Sequence, residues 1–599
     1  MRCPADGPPG TATVIVLPTI EPPMVSRNRP PTVTVRAWAA WLGACLGVWH
    51  PVVPVASTAA VEPDPPTVFR VRPYLQNPAP DAMTIRWFAS SGQAGRLLID
   101  GRSLVSEPVL CRELSYQGPE PASLRHFGVP HQHAIRVTGL SPATSYPYEV
   151  EQDGETIKAI LTTAPPPGGV GKGGGVRLFV YADTKAQPES RGSRAEWPPT
   201  TALPGGPRPS WVRERYLADE TTGYRMNLAC IASRAAESLR AGNPVLASVV
   251  GDLVANGGEQ RDWDEFWRHN AGAFGGLASR VPLVAAIGDR EMCGGPTSTD
   301  VLADLGGFSG PASLLGSTKF KAYFEHPDNG AEDARHRGRY HRVDFGPVTL
   351  LSLDASNVGS DGSEGDTNLR LDRATTPHVP DLAAGSEQLR WFEKELADAA
   401  DRGAITFVQV HHAPFSSGAH GRVAGPGDDH DGHSGRPLRE ILGPLLRRHG
   451  VRAVFSGHDE MYEHSLSDGV HYYDVGIGGD DLRMPHEGVV NERQIFSAHD
   501  HAPEHWNGDV LERGGRHYGH LEIDVRAATP PDAAPGVPHE GYTVTITPVH
   551  VFPILDPDRP GGIVSWERRE YDDVFSFKAG AMQAPLVSDP KPTLLEVLR

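Results

Sequence analysis

The sequence predicts two folded parts in series, an all-β sandwich over residues 67–165 and an α/β layered domain over residues 176–555. Three observations carry that division. Short segments of alternating apolar and polar residues fill positions 68–163, and strand-like apolar runs alternate with helical stretches from Val176 onward. Between them the sequence reads PPPGGVGKGGG, which has the composition of a linker over 166–175.

Residues 1–60 precede both parts and read as an export leader. Arg27, Arg29 and Arg36 come before an apolar run from Ala37 to Trp49 and the small residues ending at Ala60, the order of a charged, an apolar and a cleavage region. The run is shorter than the ~20 residues a membrane-spanning helix needs, and no later stretch reaches that length. An exported protein is therefore expected: secreted, periplasmic or at the cell surface. Leu42-Gly43-Ala44-Cys45 offers a lipid anchor at Cys45 as the alternative to cleavage at Ala60.

In the first folded part, Met83-Thr84-Ile85-Arg86-Trp87 and His133-Ala134-Ile135-Arg136-Val137 alternate with period two, and several such segments between turn signals imply a sandwich. In the second, strands are expected at 176–182, 244–250, 283–287, 348–353, 405–410 and 451–455. Helices are expected at 227–240 and 387–399, the latter repeating Leu389, Phe392 and Leu396 at i, i+3 and i+7. Strands alternating with helices argue for layers. The Gly/Pro/Asp-rich loops 187–213, 291–336 and 357–384 have lengths expected of functional loops or of disordered segments. A last alternating stretch spans 542–555, and 556–599 reads as a polar tail.

Composition narrows the function. Gly and Pro make up about a fifth of the 599 residues, below the level of a low-complexity chain. The net charge of −18 leaves no broad basic footprint for nucleic acid or an anionic membrane. A phosphate-bearing partner must then be drawn by something local. The five cysteines show no CxxC and no zinc spacing, whereas 15 of the 26 histidines fall between His411 and His520.

Nearly every expected strand of the second part ends in a metal-ligand type of residue. The runs lead to Asp183, to Gly251-Asp252, to Gly288-Asp289, to His411-His412-Ala413-Pro414, and to Gly457-His458-Asp459-Glu460. Loops at the carboxyl edge of such a sheet converge, and glycine permits close approach. Any one of these residues alone is an ordinary turn or cap residue; the ordered set is not. GxSxG is absent, and no GxGxxG opens a helix after a strand as a dinucleotide site needs.

The ordered motifs resemble the metallophosphoesterase (calcineurin-like) superfamily, most closely its purple acid phosphatase branch, from about Pro73 to Val525. Pro73-Tyr74-Leu75-Gln76-Asn77-Pro78 and the later Gly139-Leu140-Ser141-Pro142 resemble the fibronectin type III domain that precedes the catalytic domain there. The resemblance implies a four-layer α/β fold with two sheets between helices. It also implies two divalent or trivalent metal ions (Mn, Fe, Mg or Zn) and a small phosphorylated substrate attacked by a metal-bound hydroxide. By position, Asp183 would bind one metal, Asp252 would bridge both, and His412 and His458 would bind the second.

The remaining positions depart from the family pattern. Asp289 stands for the Asn of Gly-Asn-His and Arg290 for its His; Glu460 replaces the final His of Gly-His-x-His; Ala255 replaces a Tyr; and Lys185 lies two residues after Asp183. Asp289 and Glu460 remain able to ligate, giving Asp183, Asp252, Asp289, His412, His458 and Glu460 as the expected shell. Without the Tyr, no tyrosinate-to-iron colour is expected. Lys185 either replaces the charge of the first metal, leaving a one-metal site, or binds substrate phosphate. Arg290 cannot act as a general acid at neutral pH but can bind phosphate. His420 is then the expected proton donor, with His411 and His464 behind it; His411 is also expected to contact substrate. The activity expected is hydrolysis of phosphomonoesters. The alternatives are a phosphodiesterase or nucleotide hydrolase on the same fold, and a ligand-binding or cell-surface module with a degenerate site.

Overall fold

A computed structural model describes residues 68–116, 127–188, 195–196, 217–218, 220–292, 311–357, 367–368, 379–421, 435–479, 482–499, 505–507, 510–513, 516–528, 541–555 and 563–580. The leader, with Cys45 and Ala60, and much of the loops 187–213 and 357–384 lie outside the described residues.

The alternating N-terminal segment forms two antiparallel four-stranded sheets. One orders Phe69–Gln76, Ala82–Ala89, His131–Thr138 and Val109–Leu110; the other orders Arg102–Val105, Arg96–Ile99, Ser145–Gln152 and Glu155–Thr162. Their inward residues share one core, in which Leu75, Ile85 and Trp87 meet Leu97, Tyr148 and Val150, as period-two patterning requires. Polar contacts fix this sandwich to the layered domain. The Arg70 guanidinium forks onto Asp264 at 2.9 and 3.2 Å, and the Tyr74 and Tyr148 hydroxyls donate to the carbonyls of Tyr323 and Ser279 at 2.7 Å. The Gly/Pro connection is docked as well: Gly168 N–H donates to Gly346 O and Gly173 N–H to Gly242 O, at 2.9 and 3.1 Å.

The second part is built on two seven-stranded sheets. In the first, Leu283–Ala286, Val245–Val250 and Gly175–Tyr181 run parallel, and Tyr518–Ala527 and Tyr542–Leu555 continue the sheet antiparallel. The second orders His341–Phe345, Val348–Leu353, Ile405–Val410, Ala453–Ser456, Val470–Val475, Tyr462–Ser467 and Gln494–Ser497, its middle four strands parallel. These parallel strands are continuous apolar runs because both faces are buried. Val176, Leu178 and Val180 pack with Phe407 and Phe455 between the sheets. Their neighbours Phe179 and Tyr181 face the other way, beneath Leu228 and Ile231 of helix Glu220–Arg240 and Trp263, Phe266 and Trp267 of helix Gln260–Asn270. On the far side, Val408 and Val410 pack under Phe392 and Leu396 of helix Glu387–Asp401 and Leu438 and Leu442 of helix Gly435–Arg448. Helix, sheet, sheet and helix form the four layers. Ser386 caps the third of these helices, its hydroxyl accepting Leu389 N–H at 3.2 Å.

The boundary expected at 555 is corrected by the structure. Ile563–Glu570 and Phe575–Ala579 both pair with the 14-residue strand Tyr542–Leu555, and Tyr571 and Ala579 join the core between the sheets. Edge strands bury only some of their residues, so this segment reads as polar. The strands Tyr462–Ser467, Val470–Val475 and Tyr518–Ala527 were likewise not among those expected.

Candidate metal centre

The carboxyl ends of the parallel strands of both sheets meet at one place. Asp183, Asp252 and Asp289 arrive from the first sheet, and His411, His412, His458 and Glu460 from the second, all essentially inaccessible to water. The backbone there is held in an uncommon conformation. Asp183, Lys185, Asp252, His458 and Glu460 have φ of +55°, +34°, +52°, +78° and +54°, a left-handed region that side chains rarely occupy and that clusters at functional sites. Two glycines make room for the carboxylates. A Cβ on Gly457 would lie 2.1 Å from Asp183 Oδ2, and one on Gly288 would lie 2.3 Å from Asp252 Oδ1.

His411 is the hub of the cluster. Its Nδ1 meets Val250 O at 2.9 Å, and its Nε2 lies 3.0 Å from Asp289 Oδ1 and 3.2 Å from Asp252 Oδ1. His458 Nδ1 reaches the same Asp289 oxygen at 3.1 Å, and His458 N–H donates to Asp183 Oδ2 at 2.9 Å. Two donor sets result, Asp289 with His411 and His458, and Asp183 with Asp252 and His411, each with one ligand atom per residue inside 4.8 Å. His412 was the expected ligand, yet it is His411 that enters both sets. The His412 ring lies 4.3 Å from that of His458, wholly buried, and neither of its nitrogens makes a hydrogen bond. Asp183 Oδ1 and Asp252 Oδ2 also make none. Buried polar atoms are normally satisfied. Buried carboxylates and imidazoles with donor capacity to spare are the donor set of a divalent-metal site, and the residues around Asp289, His411, His412 and His458 fit such an ion.

The titration shifts reflect the same crowding. Burial, partly offset by His411, pushes the Asp183 carboxyl up to about 6. Burial opposes the charged form of His411, but Asp252 and Asp289 hold its imidazole well above the ordinary histidine range. Asp289 is correspondingly held well below the carboxylate range, its burial outweighed by His411 and His458. Burial and then His458 depress His412 well below the ordinary value. Binding a cation at such ligands releases protons.

The other expected site residues surround this centre. Lys185 Nζ contacts Glu460 Oε1 and lies 3.6 Å from Asp252 Oδ2 and 4.0 Å from Asp183 Oδ1. Arg290 Nε lies 3.7 Å from Asp289 Oδ2 and 3.9 Å from Asp252 Oδ2, and the Arg290 backbone N–H donates to Asp252 Oδ1 at 3.0 Å. The His420 ring stacks on His458 at 3.8 Å, and its Nδ1 is 2.7 Å from Asp459 Oδ1. His464 lies elsewhere, between Asp573 and His471.

Three residues were missed by sequence reasoning. Asp459 sits inside the Gly457-His458-Asp459-Glu460 motif; although burial opposes it, His420 holds its carboxyl well below the usual range. Glu291 is the immediate neighbour of Arg290, and its carboxylate accepts N–H bonds from Asp252, Leu253, Val254 and Gly288. Position next to a motif was the available signal for both. Arg483 pairs with Glu460 Oε2 from a segment that carries no motif.

Two sheets enclosed by helices, with a carboxylate and imidazole cluster where their carboxyl edges meet, define the fold of metal-dependent phosphoesterases. Two solved structures share it with this chain. Purple acid phosphatase PPD1 from yellow lupin (Lupinus luteus) seeds matches with a TM-score of 0.51 and 16% identity over 87% of this chain and 77% of that one. PhoD matches with a TM-score of 0.51 and 12% identity over 88% of this chain and 93% of that one. At such identities the likeness is one of fold. The uncharacterized proteins MT2654 and Rv2577, from two strains of Mycobacterium tuberculosis, are 25% identical over 344 residues, covering 56% of this chain and 50% of theirs. The chain thus spans about half the length of the curated relatives it matches. No family model matches it. Among the described residues no helix is long and apolar enough to cross a membrane.

Proposed function

We propose that this chain is an exported metal-dependent phosphoesterase that hydrolyses phosphomonoesters, with its N-terminal sandwich a fibronectin type III-like module. The observation that carries the reading is the buried convergence of Asp183, Asp252, Asp289, His411 and His458, with His412 buried beside it and making no hydrogen bond. Export rests on the leader of the sequence.

Asp252, Asp289, His411 or His412, and His458 would hold a divalent ion, which would supply Lewis acidity toward phosphoryl oxygens and water. The protein groups do the rest. Arg290, its Nε beside Asp252 and Asp289, is placed to bind a non-bridging phosphoryl oxygen. Asp459, on His420 Nδ1, sets that ring so that Nε2 presents a proton to the leaving oxygen. The carboxylate on Nδ1 orients the ring, and the doubly protonated form is the one whose Nε2 can give a proton.

The test compares the purified full chain, loaded with Mn2+, on p-nitrophenyl phosphate and bis(p-nitrophenyl) phosphate. Faster turnover of the monoester, abolished in Asp252→Ala, is the expected result. Preference for the diester would move the reading to a phosphodiesterase or nucleotide hydrolase. Less than one metal per chain, with no activity to lose, would leave a ligand-binding module.

A further inference from the structure

We infer that the Lys185 ammonium stands in for the first of the two metal ions that this fold implies, so that the centre holds a single ion. The inference rests on the metal-dependent reading above and adds the number of ions and the residue that sets it.

At the first-metal position the donor set is Asp183, Asp252 and His411, but its His411 Nε2 is the same nitrogen that faces Asp289, so it can ligate one ion and not two. Glu460 is the further carboxylate there, and Lys185 Nζ lies among the three carboxylates, in contact with Glu460 Oε1, 3.6 Å from Asp252 Oδ2 and 4.0 Å from Asp183 Oδ1. Oxygen-ligated divalent ions need carboxylate oxygens at ~2.0–2.6 Å. An ion satisfying all three would have to share the space the ammonium fills. The lysine is not a surface side chain that has folded inward. It is 5% exposed, and its backbone N–H donates to Asp252 O at 2.9 Å with φ at +34°. The preceding Thr184 hydroxyl is bound to Leu253 O at 2.7 Å, and Ala186 bridges Val254. Glu460 is equally committed, with Lys185 on one carboxylate oxygen and Arg483 on the other.

Charge leads to the same count. Four carboxylates, Asp183, Asp252, Asp289 and Glu460, already face Lys185, Arg290 and Arg483. Against those three cations the four carboxylates keep a single net negative charge, so one divalent ion already more than balances it, and a second would add two further buried positive charges, which is costly. The other half of the centre keeps a complete donor set. Asp289, His411 and His458 converge within 4.8 Å, and the wholly buried His412 adds two ring nitrogens that make no hydrogen bond.

Metal stoichiometry tests this directly. The full chain is loaded with excess Mn2+, desalted and measured by plasma mass spectrometry, with electron paramagnetic resonance reporting whether the manganese is isolated or exchange-coupled. One ion per chain with the spectrum of an isolated Mn2+ is expected, and Lys185→Arg, which keeps the cation, should remain at one. Lys185→Asn and Lys185→His remove the fixed charge and should take up a second ion and show coupling; circular dichroism verifies that each variant is folded. Two ions in the native chain, or one in both folded neutral variants, would overturn the inference and leave the phosphoesterase reading standing. No ion in any of them would overturn both.

Discussion

Glu291→Gln probes how the centre is held, because Glu291 touches no proposed substrate or ion and acts only through two turns. Its Oε1 accepts Leu253 N–H at 2.8 Å and Val254 N–H at 3.3 Å, and its Oε2 accepts Asp252 N–H at 3.0 Å and Gly288 N–H at 2.8 Å. One side chain thus ties the turn that presents Asp252 to the turn that presents Asp289. Glutamine has nearly the same shape but a single acceptor oxygen, so its NH2 must face two of the four buried N–H groups. Each stranded donor costs about 1–3 kcal/mol, giving a local penalty of about 2–6 kcal/mol, relieved by the turns moving apart. Loss of a group that supports metal ligands typically costs ~10–100-fold in affinity. Chelator competition with Mn2+ should therefore show affinity lowered by that factor at unchanged stoichiometry, with the melting temperature of the metal-free chain reduced. Unchanged affinity and melting temperature would refute the claim that Glu291 positions the two turns.

Two further predictions concern protons. Asp459→Asn keeps the bulk beside His420 Nδ1 but removes the charge now 2.7 Å away; kcat on an alkyl phosphate should fall ~10–100-fold while p-nitrophenyl phosphate, which needs no proton on its leaving oxygen, is nearly unaffected. Equal losses on both substrates, or none, would remove His420 from the acid role. The second prediction is acid lability from the stacked pair His326 and His341, whose rings lie 3.8 Å apart. Burial lowers His326 to about 4 and His341 well below the ordinary value. Between the unfolded pKa of ~6.5 and that folded value the unfolded chain binds more protons, so stability present above ~6.5 is lost as pH falls. The His326 shift alone amounts to about 3 kcal/mol at the bottom of that window. Melting temperature should drop between about pH 7 and about pH 5, less so in His326→Gln, and a flat profile would refute it.

Features differ in how they are encoded, and that decides which were legible in the sequence. Parallel strands buried on both faces are written as unbroken apolar runs, so Val348–Leu353 and Ile405–Val410 were found at their observed bounds. Asp183, Asp252, Asp289 and the two histidine motifs were legible because a ligand at the end of a buried strand, with glycine beside it, is a local pattern. The choice within His411-His412 was not, since adjacent side chains point to different sides and only the assembled sheets decide which one meets Asp252 and Asp289. Edge strands hid the C-terminal addition to the first sheet. The pairing of Lys185 with Glu460 joins residues 275 positions apart, and Arg483 completes it from a segment without a motif. That pairing bears on the acidity of the whole chain. A net charge of −18 gives the chain no overall basic footprint with which to draw phosphate, yet Lys185, Arg290 and Arg483 all converge on the centre's carboxylates. On the one-ion reading proposed above, covalently fixed cations that chelators cannot remove supply part of the centre's positive field.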